Sequence, residues 1–533
     1  MNELIDRQLA KRIWQKDTTA FAPVTAPPAL HQAIEQRLGW LDAPAGMRDA
    51  IPEILSLVTD LRRDHITDVY LLGMGGSSLC AEVLRDVPLA RADPLKLVVL
   101  DTTDERAIRT VTDSLVPQHS AFIVASKSGS TIEVASLEQH FWSVMTDDGK
   151  RPGAHFIAIT DPDTSLGDLA DQRGYRRTFI NPPDIGGRYS ALSLFGLVPA
   201  ALTGLALPAL LDSADQIAER CRADETWNPG LSLGVFMAAH AAAGRDKLTI
   251  LLPPSLMPLG PWIEQLVAES TGKMGKGVLP IVGEPIGKPS DYGADRAFVA
   301  VLARDGADVR AAAQKLEAAG HPVLRIETAV GDLGGEFFRW EFATAVAGVA
   351  LGINPFDEPN VKDAKVRTKA QLDFRHEKGV FRMDPPLERG PGYSRRESRS
   401  SEARDPGGRF LAILDYLPTD PNREAVVSRL RESIRRRTGV ASTHGVGPRY
   451  LHSTGQYHKG GPNTGLFLLL TAADTGGTPI PGVEYTFSTL KQAQALGDFD
   501  ALVAAGREVI HYHIDDATAD FTAELQKVAG GWT

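Results

Sequence analysis

From residue 68 onward the chain repeats one unit. A short run of apolar, β-prone residues ends in a glycine- or hydroxyl-rich cluster, and a helical stretch follows. The runs are "VYLLGMG", "LKLVVLDTTD", "AFIVASKSG" and "HFIAITDP", separated by stretches such as "SSLCAEVLRDV" and "STIEVASLEQHFWSVM". Strands that read as continuously apolar are buried on both faces, and their alternation with helices predicts a doubly wound, largely parallel sheet. Such sheets bind ligands beyond the carboxyl ends of their strands. "GMGGSS", "DTTD", "SKSGST" and "TDPDTS" all fall there, so one site is expected to draw on several strand ends.

A second αβ series begins near 230, with "KLTILLPP", the helical "WIEQLVAEST", "AFVAVLAR", "PVLRIE" and the helix "FFRWEFATAVAGVALG". At 533 residues the chain has room for three or four units at roughly 150 residues each. The pattern predicts a helical segment over 1–65, a first αβ domain over 66–225 and a second over 226–378. The stretch 379–408, rich in Pro, Gly, Ser and Arg, reads as a flexible linker, and 409–533 as a small C-terminal αβ domain.

The net charge of −10 argues against a nucleic-acid or anionic-membrane partner, because both need a net basic surface. Any phosphate must therefore be held locally. Two cysteines, Cys80 and Cys221, cannot form a disulfide framework and suit a reducing compartment, so a cytoplasmic enzyme is expected. The N-terminus lacks the apolar core of an export signal. The uncharged stretch 190–211 is long enough to span a bilayer, but Pro199, Pro208, Gly196 and Gly204 interrupt it and predict a buried helix pair instead.

"GMGGSS" at 73–78 places glycines after a strand and Ser77 at the mouth of a helix, where backbone amides and the helix dipole favour an anion. "SKSGST" adds Ser126, Lys127, Ser128 and Thr131 at a second strand end, all able to donate to phosphate oxygens. A polar helix cap with surface serines would account for the same residues. Together "GMGGSS" and "SKSGST" resemble the sugar isomerase (SIS) domain, and "GGRYSALSLFG" at 186–196 is similar to a signature of the phosphoglucose isomerase family. "EQLVAESTGK" at 264–273 and "INPFDEPNVKDAK" at 353–365 resemble two further motifs of that family, in the family's order. The arrangement is also similar to the isomerase half of bacterial fusions with transaldolase, and residues 1–65 are too few for a transaldolase barrel.

The resemblance implies two SIS-like doubly wound parallel-sheet domains with a smaller C-terminal αβ domain, a homodimer, a sugar-phosphate substrate and no metal or other cofactor. The implied reaction is the interconversion of glucose 6-phosphate and fructose 6-phosphate through an enediolate. By the same resemblance Glu269 is the proton-transferring base, with Gln265 one helical turn before it. Arg188 faces the developing oxyanions, Lys365 lies near the ring oxygen, and Gly76, Ser77, Ser126, Lys127, Ser128 and Thr131 take the phosphate. An enzyme acting on both glucose and mannose phosphates, or a noncatalytic sugar-phosphate sensor, would share the cradle.

Two departures from the family pattern stand out. The family's long form carries a histidine in a "GQH" segment after "GEP", where this chain has "GEPIGKPSDYGADRAF". Ring opening must then draw on another group, and "HGVGPRYLHSTGQYHKGG" in the last domain offers His452 and His458. These histidines either reach the sugar or close the domain interface. The second departure is Glu358, where the family commonly has glutamine.

Overall fold

The first apolar runs form β1 (Asp68–Gly73), β2 (Lys96–Leu100), β3 (Ser120–Ala125), β4 (Phe156–Thr160) and β5 (Arg177–Ile180). They pair in the order β2-β1-β3-β4-β5, all parallel. In the computed structural model, which describes residues 1–147, 151–390, 393–398, 408–473, 476–516 and 523, β3 and β4 are buried along their whole length. That burial on both faces accounts for their unbroken apolar reading.

The second series gives β6 (Lys247–Leu251), β7 (Leu279–Ile281), β8 (Arg296–Leu302) and β9 (Val323–Glu327), again parallel, in the order β7-β6-β8-β9. The N-terminal helices, the first sheet's inner face, the second sheet and the helices Leu194–Leu202, Leu207–Arg220 and Leu333–Leu351 share one continuous core. The uncharged stretch 190–211 forms buried helix within it, and no helix among the described residues is long and apolar enough to cross a membrane.

The third sheet has β10 (Glu388–Gly390), β11 (Tyr393–Ser398), β12 (Phe410–Asp415), β13 (Ala441–Val446), β14 (Gly465–Ala472) and β15 (Glu508–Ile514), in the order β10-β11-β15-β14-β12-β13. The last four are parallel and the first two run antiparallel along the edge. This corrects the flexible-linker reading of 379–408 over β10 and β11; 391–392 and 399–407 lie outside the described residues. Composition misled because an edge strand accepts charge when its inward side chains find partners. Arg396 points inward, donates to His511 Nδ1 at 2.9 Å and covers the Phe499 ring at 3.8 Å, and Ser394 donates to Asp515 at 2.9 Å.

The C-terminal unit docks on the first sheet through buried polar contacts. Asp104 caps the helix Glu105–Ser114, accepts from the Thr419 hydroxyl at 2.9 Å and pairs with Lys491 at 2.9 Å. Glu105 accepts from the Thr478 amide and hydroxyl at 2.9 and 2.8 Å and from Ser488. Burial raises the Asp104 carboxyl, but the Lys491 charge and hydrogen bond together with the Ala107 and Thr419 amides outweigh it and hold the group below its ordinary value. A depressed carboxyl contributes stability above its unfolded pKa that is lost as pH falls through the folded one. Lys491→Met removes one partner of a buried pair and should lower the free energy of unfolding by about 3 kcal/mol, read as a lower urea midpoint at neutral pH. The deficit should shrink on acidification as Asp104 protonates.

Candidate active site

The turn Gly75–Ser77 that follows β1 sits where the first two αβ units meet. Gly75 has φ +56°, and a Cβ there would lie 2.8 Å from Gln265 Nε2. A Cβ on Gly76 would lie 1.9 Å from the Gly187 carbonyl oxygen. These two glycines therefore allow the cradle turn to touch both Gln265 and the segment that carries Arg188.

Arg188 is buried in the short helix Gly187–Tyr189 and its donors are fully engaged. Nε donates to Ser270 Oγ at 2.8 Å, and Nη2 donates to the carbonyls of Pro355 and Asp357 at 2.8 and 3.0 Å. Nη1 lies 3.3 Å from Glu269 Oε1 and 3.1 Å from Glu358 Oε2. Glu269 and Gln265 lie one turn apart on the helix Leu259–Thr271, and Gln265 Nε2 donates to Glu269 Oε2 at 3.2 Å. Gln265 Oε1 is buried and accepts no hydrogen bond, which leaves an acceptor for a hydroxyl. Burial raises the Glu269 carboxyl; Arg188 offsets part of this and Glu358 adds to it, so the group sits above its ordinary value.

The C-terminal unit contributes His452. Gln265 Nε2 donates to the His452 carbonyl at 2.7 Å, and the His452 ring meets Glu133 Oε1 at 2.9 Å through Nε2. Gln494 Nε2 donates to the same Glu133 oxygen at 2.7 Å. Burial opposes ionisation of Glu133, but His452 through its charge and hydrogen bond, a backbone amide and, last, the Lys365 charge together outweigh it and keep the carboxyl below its ordinary value. Ser130, Glu133, Lys365, His452 and Gln494 line one cavity of about 380 Å³, large enough for a small ligand.

The hydroxyl cradle leads directly into Glu133. Ser126 and Thr131 share a hydrogen bond of 3.1 Å, as do Ser128 and Ser130. Ser77 is buried at the end of the Gly75–Ser77 turn, which follows β1, the strand paired with β3. Lys127 is paired with Asp161 and donates to the Pro183 carbonyl at 3.0 Å, so its charge is already shared.

The structure thus joins Arg188, Gln265, Glu269 and His452 in one hydrogen-bonded set and puts Lys365 on the same cavity as His452. His458 is elsewhere. It is 2% exposed, packed against Tyr450 and Phe467 with neither ring nitrogen hydrogen-bonded, and burial pushes its ring well below the usual imidazole value. Three site residues escaped the sequence reading. Glu133 stood two places beyond the cradle, and Gln494 belongs to a helix, Phe487–Ala504, that sequence patterning did not single out. Lys273 closed a quoted motif; it is buried, donates to the Asn354 carbonyl at 2.7 Å, meets Asp357 at 2.7 Å, and burial followed by Arg188's charge lowers it to about 8.

A family model described as phosphoglucose isomerase matches residues 47–277. A glucose-6-phosphate isomerase of Carboxydothermus hydrogenoformans is 32% identical over 250 residues, 44% of this chain and 53% of that protein. The matched part thus spans about half of that relative. A glucose-6-phosphate isomerase of Parabacteroides distasonis is 27% identical over 395 residues, 63% of this chain and 87% of that protein. Among solved structures, a hypothetical protein of Thermus thermophilus superposes with a TM-score of 0.61 at 23% identity, covering 70% of this chain and 97% of that one. A glucose-6-phosphate isomerase of Chlamydia trachomatis gives 0.54 at 18% identity over 70% and 84%. These two likenesses show the shared fold.

Gly76→Ala should force the cradle turn off the Gly187 segment. Overpacking of this kind costs about 1–3 kcal/mol, so the unfolding midpoint should fall. An unchanged midpoint would mean that the two segments separate freely.

Proposed function

The chain belongs to the phosphoglucose isomerase family, and from that premise we propose that it interconverts glucose 6-phosphate and fructose 6-phosphate. The observation that carries this reading is Glu269, a buried carboxylate with raised proton affinity, set beside Arg188 and beside Gln265, which the Gly75 turn touches.

The reaction moves one proton between neighbouring carbons. Once the ring is open, Glu269 takes the C2 proton of the aldose and electrons pass toward O1, giving an enediolate. The same carboxylic acid returns the proton to C1, while a proton moves from O2 to O1. A carboxyl raised above its ordinary value holds that proton long enough to redeliver it. Arg188 lies next to the base, and its field favours negative charge developing there. Gln265 Oε1, without a partner in the free protein, can accept from a sugar hydroxyl.

Ring opening needs a proton delivered to the ring oxygen. His452, oriented by Glu133 at 2.9 Å and sharing its cavity with Lys365, takes the place of the histidine that the "GEP" segment lacks. The phosphate is held by the hydroxyls of Ser77, Ser126, Ser128 and Thr131, with Gly76 setting the turn and Lys127 sharing its charge with Asp161. We extend the proposal to a homodimer in the reducing cytoplasm, where the buried thiols of Cys80 and Cys221 stay free.

The test is a coupled assay that supplies fructose 6-phosphate and detects glucose 6-phosphate. Glu269→Gln should lower kcat by about 10³-fold while fructose 6-phosphate still binds. Full activity in this variant would sink the base assignment, and wild type that binds without turnover would favour a sensor. His452→Asn should lower kcat by about 10²-fold with KM little changed, since His452 acts on the ring and not on the phosphate. Retained kcat would reduce His452 to a residue that closes the interface.

A further inference from the structure

One cation at the site serves two carboxylates. Nη1 of Arg188 lies 3.1 Å from Glu358 and 3.3 Å from Glu269. Its remaining donors go to Ser270 Oγ and to two backbone carbonyls, so no other part of the guanidinium compensates Glu269. Glu358 is the more open of the pair, its side chain 36% exposed against 11% for Glu269. Its loop is fixed from below, because Lys273 binds the Asn354 carbonyl and Asp357 while Arg188 Nη2 binds the Pro355 and Asp357 carbonyls.

Resting on the isomerase reading, we propose that Glu358 is a positioning residue for the proton transfer: it divides the Arg188 charge, so that Glu269 meets only part of a countercharge and stays a strong base. The groups around Glu269 bear this out one by one. Its own helix offers Gln265, the Gly187–Tyr189 turn offers Arg188, the following loop offers Lys273, the 353–358 loop offers Glu358, and the C-terminal unit offers His452. Of these, only Glu358 is a negative charge bonded to the same guanidinium nitrogen. Glu358 itself faces Arg188, Arg37 and Lys273; burial opposes its ionisation, but those cations outweigh it and hold its carboxyl below the ordinary value. Two carboxylates on one cation are thus pushed apart, which separates a permanent anion from a proton carrier.

Glu358→Gln separates this role from a structural one, because the amide oxygen can still accept from Nη1 and the loop clamp survives. The measurement is the titration of the Glu269 carboxyl carbon by ¹³C NMR, identified by its loss in Glu269→Gln, together with the pH profile of kcat/KM. In Glu358→Gln both the midpoint and the acid limb should move to lower pH, and kcat on the plateau should fall roughly three- to tenfold as the base weakens. The unfolding midpoint should match wild type. A Glu269 midpoint that stays in place overturns the proposal. If the wild-type chain shows no turnover while the midpoint still moves, the isomerase reading fails and the division of charge stands.

Discussion

A buried guanidinium costs several kcal/mol in lost hydration unless its donors are met, and Arg188 meets that demand by reaching into two separate segments, the helix Leu259–Thr271 and the loop 355–358. It binds Ser270 and Glu269 on one helix, Glu358 beside it, and the backbone of Pro355 and Asp357. The residue just before it, Gly187, packs on Gly76 of the cradle turn. One side chain therefore ties the Gly75–Ser77 turn of the first unit to Glu269 of the second and to the loop that leads into Lys365. Directional bonds to a planar fork fix orientation as well as distance, which a purely apolar contact between the two units would not do.

The C-terminal unit is held by the same kind of device with the signs reversed. Its Lys491, Thr419, Thr478 and Ser488 surround the carboxylates of Asp104 and Glu105, while its Arg449 pairs with Glu82 and meets Asp101 at 3.0 Å. Within the unit, Tyr450 donates to Asp498 at 2.6 Å and Lys459 pairs with the same residue. Gln456 reaches out to the Gly272 carbonyl at 2.9 Å and to Asn360 at 2.8 Å. The segment 449–460 is thus anchored on both sides of His452, and the ring is carried to Glu133 by contacts that lie outside the cavity.

What the sequence shows and what it hides follow from distance along the chain. The strand ends are local and readable from residue type and spacing, and the Gln265–Glu269 helix and the Arg188 turn sit in short motifs that a family resemblance marks. The Glu133–His452 pair joins positions 319 residues apart, and Gln494 reaches Glu133 across 361, so no local pattern marks either. His458 looks equivalent to His452 in the chain, yet six residues of turn and helix send it into an aromatic core. The polar strand β11 next to the sheet edge escapes a composition reading for a related reason: composition counts its arginines against order, whereas Arg396 is ordered by a histidine and a phenylalanine more than 100 residues away.

The charges around the site also explain how an acidic chain can accommodate an anionic ligand. Arg188 is matched by Glu269 and Glu358, Lys273 by Asp357, Lys127 by Asp161 and Arg449 by Glu82 and Asp101. Bare cations in a buried cleft would repel one another and lose hydration; paired ones remain charged and fixed. The hydroxyls of Ser126, Ser128 and Thr131 add neutral donors to the proposed phosphate cradle. Lys365, exposed at the cavity and in no ion pair among the described residues, is then the cation most open to a ligand. Its field already reaches Glu133, the carboxylate that orients His452.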